Sequence, residues 1–215
     1  MNAATDIEAA ECSIAVFEDA RSAFDDYNRW CDKAFQGMHN EHGVEARRRV
    51  SQLIWGLRQI KLLLSEAAAL RVISHPPMPF ISGEAAPDKW FDLMKTPEVV
   101  NAAHRELALT EPLQFFTEAF YCFAARTRFI IRQLPKLENF EATGVRNVRN
   151  HLLEHPEGKS SGVLITSFGY GGRNGPVVKG LRYDHQVDLW PDPGLFVNAV
   201  EFAESLKNRL VLALS

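Results

Sequence analysis

TEPLQFFTEAFYCFAARTRFIIRQLP, residues 110–135, is the stretch on which the fold turns. Thr110 and Pro112 suit a helix start, and Pro135 stops whatever precedes it. Between them Leu113, Phe116, Phe120, Phe123, Ala124, Thr127, Ile130, Ile131 and Leu134 recur at steps of three and four, the period of one helix face. A helix this apolar is expected at the centre of a bundle, with the phenylalanines at 115, 116, 120 and 123 in its core.

The rest of the chain agrees with a bundle. Ile7, Ala10, Ile14, Phe17, Ala20, Phe24, Tyr27, Cys31 and Ala34 close one stripe on a long helix that Gly37 ends. A second long helix runs from Val44 to Val72, and the short connection between the two favours an antiparallel pair. A short helix over 97–108 has Thr96 as its cap and Pro97 in its first turn. Another runs from a cap at Asn139 to Glu154, where Pro156 stops it. GVLITSF and PVVKGLRY are β-rich runs separated by the turn sequence GYGGRNG, which lacks the ending of a phosphate loop and reads as a hairpin. The expected fold is therefore mainly α: one domain over 1–215, an up-and-down bundle of four to six helices. It carries a proline-rich loop at 75–87, a two-stranded β-hairpin insertion at 162–183 and a closing helix at 193–212.

With 215 residues, 46% hydrophobic and 24% charged, the chain has a globular composition, and disorder, collagen and disulfide scaffolds are excluded. Cys12, Cys31 and Cys122 are odd in number and form no C-x-x-C pair. His39, Glu41 and His42 match no second ligand pair, so no metal and no cofactor are expected. The opening MNAATDIEAAEC has neither part of a signal peptide, and no apolar run approaches the roughly 18 residues of a membrane span. A cytoplasmic location and no membrane contact are expected. The net charge of −3 gives no general attraction for nucleic acid, but residues 43–72 and 121–151 each hold six bases against two acids. Arg47, Arg48 and Arg49 in the first of these read as a solvated face.

Chemistry-bearing residues are densest in EATGVRNVRNHLLEHPEGK, residues 141–159. Arg149-Asn150 precedes His155 as R-N-x4-H, and Arg146-Asn147 precedes His151 as R-N-x3-H. This composition would yield roughly 0.07 such patterns by accident. On a helical wheel Val145, Val148 and Leu152 form the buried stripe, with Arg149 at one edge and Asn147, Asn150 and Glu154 opposite. His155 falls on the other edge, about 120° from Arg149 were the helix to continue, and Pro156 lets it fold back. An arginine at the border of a core stripe needs an anion or a carboxylate.

R-N-H-L-L-E-H, Arg149 to His155, resembles the motif of the HEPN superfamily of small helical bundles, and the order of helices over about 1–155 is similar. The resemblance implies a metal-independent endoribonuclease of toxin or defence type, paired with an antitoxin or a nucleotidyltransferase, whose site forms at a homodimer cleft. Arg149 and His155 would be the catalytic pair and Asn150 the polar neighbour, with Arg146, Asn147 and His151 as the alternative register. The residue types suit the reaction. A histidine moves protons near pH 7 at the 2′-OH or the leaving oxygen, and an arginine fork stabilises the phosphorane. Arg126, Arg128, Arg132 and Lys136 are candidates to track an RNA backbone.

The structural alternative is an ordinary helix end, with Arg149 paired to Glu154 or Glu157 and the histidine favoured by the helix C-terminus. The functional alternative is a non-catalytic helical interaction or nucleotide-binding protein of the same fold.

Overall fold

The computed structural model describes residues 3–35, 41–76, 87–154 and 194–215, with four three-residue strands between 163 and 183; side chains are placed over 6–35, 41–76, 90–149 and 194–215. The architecture is mainly helical: α1 (Ala3–Ala34), α2 (Glu41–Ser74), α3 (Pro87–Met94), α4 (Pro97–Ala108), α5 (Thr110–Ile131), α6 (Thr143–Glu154) and α7 (Leu195–Leu214). No helix among the described residues is long and apolar enough to cross a membrane.

The two longest helices pair as their charges dictate. α1 is acidic and α2 basic, and Arg47 bonds Asp25, Arg58 bonds Glu18 and Lys61 bonds Glu11. As one residue number rises the other falls, which is the register of an antiparallel pair. Arg48 and Arg49 turn back on Glu45 of their own helix; of the three arginines expected on a solvated face only Arg48 is exposed, Arg47 being engaged with α1 and the Arg49 side chain 12% exposed.

α1 packs on α2 and α7, α2 also on α4 and α5, and α6 on α5 and α7. The central position therefore belongs to α2, buried at Val50, Leu53, Ile54, Leu57, Ile60 and Leu64, and not to α5 as expected. α5 buries one stripe, Leu113, Thr117, Phe120, Tyr121, Ala124, Thr127 and Ile131. Phe115 and Phe123, expected in the core, are 65% and 42% exposed. Both lie on a second apolar stripe of the same helix, beside the buried one.

Phe17 joins three helices. Its ring stacks on Phe202 of α7 at 5.8 Å and meets Phe120 of α5 edge-on at 6.2 Å, while Phe140 closes edge-on over Phe202 at 5.3 Å. A buried carboxylate joins α2 to α4: Glu106 accepts from the Ser74 hydroxyl at 2.6 Å and from Arg71 at 3.3 Å.

Several boundaries differ from expectation. Residues 77–86 of the proline-rich loop lie outside the described ones, and Pro87 opens α3, since a proline fits the first turn where no N–H bond is lost. Thr96 precedes α4 as expected but makes no side-chain cap; its hydroxyl donates to the Leu93 carbonyl at 2.8 Å. α6 starts at Thr143, later than Asn139, because Leu137 and Phe140 are buried through tight turns whose phase is not helical. β1 (Val163–Ile165) pairs antiparallel with β4 (Leu181–Tyr183), and β2 (Phe168–Tyr170) with β3 (Pro176–Val178). These short pairs do not establish the hairpin expected over 162–183, whose turn and joints lie outside the described residues.

Asp6, in the first turn of α1, is buried, and its Oδ2 has no hydrogen-bond partner among the described residues. Burial pushes its carboxyl up to about 6 from 3.8. The stability this supplies is complete below pH 3.8, falls as the pH rises between 3.8 and about 6, and is gone above. Asp6→Asn should therefore be more stable than wild type by about 1–2 kcal/mol at pH 7 in urea unfolding, with the difference shrinking toward pH 4. A difference independent of pH would contradict this environment for Asp6.

Candidate functional site

The motif helix is set against its neighbours by small and polar groups. Val145 and Val148 are buried as the wheel places them. Gly144 faces Asn198 of α7, and a Cβ there would collide with the Asn198 Oδ1. Asn198 is itself buried and donates through Nδ2 to the Tyr121 hydroxyl of α5 at 3.0 Å. α5, α6 and α7 are thereby held in one arrangement, and Arg149 emerges, half-buried, toward α5.

Between α5 and α6 lies an open groove of about 650 Å³, lined by Cys122, Phe123, Ala125, Arg126, Arg128 and Phe129 from α5 and by Arg146 and Arg149 from α6. The primary and the alternative arginine of the motif thus share one groove with two of the backbone-tracking candidates. Its charge is partly offset from one side. Glu141 accepts from Arg128 at 2.6 Å and 2.7 Å and from Arg132 at 3.2 Å, with Arg146 3.9 Å away. The Arg128 guanidinium, with Arg132 and Arg146 behind it, holds the Glu141 carboxyl below the usual range. Arg126 has no carboxylate partner among the described residues.

The other two backbone candidates serve the fold. Arg132 also donates to the Glu138 carbonyl at 2.8 Å. Lys136 donates to the Ala213 carbonyl at 2.7 Å, satisfying the end of α7, and its ammonium lies 4.8 Å from the centre of the Trp30 ring. Lys136 has a φ of 63°, set by the tight turn in which the Leu137 N–H donates to the Leu134 carbonyl and Pro135 precedes it. Asn147 is exposed. Asn150 and His151 belong to α6 by backbone, while their side chains, and all of His155, lie outside the described residues. Among the described residues no three metal-ligating side chains cluster.

A second groove went unforeseen in the sequence. About 360 Å³ in volume and almost wholly apolar, it runs between α2 and α5 past Trp55, Gly56, Phe115, Phe116 and Phe123. Trp55 is 57% exposed and meets Phe116 edge-on. The signal available was the recurrence of Phe115, Ala119 and Phe123 at four-residue steps, a stripe beside the buried one.

Comparison of the chain with protein-family models, with characterised proteins and with solved structures gives no match.

Cys122 reports on the groove. Its thiol is exposed but pushed above the ordinary value by partial burial, against the pull of Arg149, with Glu118 adding to the rise. In a Cys12→Ser background, Arg149→Ala should slow alkylation of Cys122 by iodoacetamide several-fold at pH 7.5, measured by mass spectrometry. An unchanged rate would mean that the guanidinium does not face the thiol.

Proposed function

We propose that the groove between α5 and α6 is the RNA site of a metal-independent endoribonuclease of toxin or defence type. One observation carries the reading: Arg149, singled out by the R-N-x4-H pattern, shares a groove with Arg126, Arg128 and Arg146. Phosphate oxygens are the ligand that a set of convergent planar forks fits. The resemblance of Arg149–His155 to the HEPN motif supplies the reaction class.

In this reading His155, the residue after the last of α6, takes the proton of the 2′-OH as it attacks the adjacent phosphorus. Arg149 stabilises the charge of the phosphorane, and Asn150 orients the histidine or the phosphate. The bond to the 5′-oxygen breaks as that oxygen takes the proton back from His155, leaving a 2′,3′-cyclic phosphate and a 5′-hydroxyl. Arg146 and Arg128 hold flanking phosphates, with Glu141 fixing the guanidinium plane of Arg128. RNA is the substrate, a homodimer the working unit, and an antitoxin or nucleotidyltransferase the partner.

The test is cleavage of total RNA by the pure protein with EDTA present, with product ends mapped. Wild type should cut, leaving cyclic phosphate ends, and both Arg149→Ala and His155→Ala should lose about 10²-fold or more in rate. Cleavage that survives both substitutions, or that needs added metal, would overturn the mechanism; binding without cleavage would favour the non-catalytic alternative.

A further inference from the structure

The apolar groove between α2 and α5 has no part in the chemistry assigned to the arginines, yet the two grooves touch, because Phe123 lines both. Three rings of the apolar groove, Trp55, Phe115 and Phe123, are exposed. Phe116, half-buried, meets Trp55 at 70° and Phe115 at 74°, with ring centroids 5.6 and 5.4 Å apart, so it is stacked on neither. Among the described residues no other ring stacks on Trp55, Phe115 or Phe123. Gly56, on the same wall, is a second sign. A glycine weakens a helix interior, and a close neighbour that leaves no room for a Cβ is the usual reason for one. Here a Cβ would meet no atom beyond its own helical turn within 4 Å, so α2 forgoes a side chain without a packing need. What the missing side chain leaves open is the groove.

We propose that the α2–α5 groove is a base-stacking subsite for unpaired bases of the RNA strand whose phosphates lie on Arg146 and Arg149, which presupposes that those arginines bind RNA. Continuity at Phe123 selects this occupant: a strand leaving the guanidinium groups meets that ring first, with Trp55 and Phe115 beyond it. No charged side chain lines the groove, and Gln52 is its one polar lining residue. Recognition there is by ring faces and not by base edges, so it tolerates sequence and ranks bases by stacking surface, purines above pyrimidines. In a duplex both faces of each base are already stacked. The substrate class is therefore single-stranded or looped RNA, with purines beside the bound phosphates.

Oligomers that separate base from phosphate test it. By fluorescence anisotropy with the full chain, a short single-stranded 2′-O-methyl oligoadenylate should bind about tenfold tighter than an abasic chain with the same number of phosphates. Trp55→Ala removes a stacking face, and Gly56→Leu puts a side chain into the groove while favouring the helix. Each should abolish most of that tenfold difference, with abasic binding and helicity by circular dichroism unchanged. Arg149→Ala should weaken both oligomers alike. The oligoadenylate paired with its complement should bind wild type and Trp55→Ala equally. Equal affinity of wild type for the base-bearing and abasic chains, a preference that survives both groove substitutions, or a duplex as sensitive to Trp55→Ala as the single strand would overturn the stacking subsite. With Arg149→Ala still weakening both oligomers, those results would leave the arginine groove as the RNA site and assign the apolar one to a protein partner. Failure of wild type to bind either oligomer would overturn both readings.

Discussion

Phe17 is the point on which the arrangement of the bundle depends. Its ring is held between Phe202 and Phe120, so a single buried side chain of α1 fixes the rotation of both α5 and α7. Burying an aromatic ring completely contributes about 2–3 kcal/mol before packing effects. Geometry matters more here than that sum. Once Phe120 is turned inward, the 100° step of the helix turns Phe115, Cys122, Arg126 and Phe129 outward. Tyr121, beside Phe120, is placed to receive Asn198, and through Asn198 and Gly144 the position of α6 follows. The arginine groove is thus a consequence of which face of α5 the aromatic cluster claims.

Electrostatics divides the molecule in a complementary way. The basic charge of α2 is largely met by the acids of α1 and by Glu45, so the first basic segment of the chain is consumed in holding two helices together. The second, residues 121–151, has Glu141 as the shared partner of Arg128, Arg132 and Arg146. One carboxylate among several guanidinium groups orients them without cancelling them. The same count of six bases against two acids therefore has different outcomes in the two segments, because only one of them lies along an acidic helix.

Much of this was legible from the residues. Helix periodicity placed the long helices, and the wheel put Val145 and Val148 inward with Arg149 at the edge. Periodicity did not say which of the two stripes of α5 would be buried, because Phe116, Phe120 and Phe123 look as apolar as any core and the choice is made by Phe17 and α2. The pairing of Arg128 and Arg132 with Glu141 was not legible either. It depends on the turns through Leu137 and Phe140, which bring the chain back past the end of α5. Local pattern makes Lys136 a candidate ligand for RNA, but the Ala213 carbonyl it satisfies lies far away in sequence, beyond the reach of that pattern.

The central claim is that the groove between α5 and α6 holds phosphates through Arg146 and Arg149. The most direct measurement is the salt dependence of binding to a 2′-O-methyl RNA oligomer, which cannot be cleaved, followed by fluorescence anisotropy. The account predicts that log Kd rises linearly with log salt, and that Arg149→Ala and Arg146→Ala each lower the slope by about 0.7, as expected for one lost phosphate contact on a single strand. Binding that ignores salt, or slopes unchanged in both variants, would contradict it.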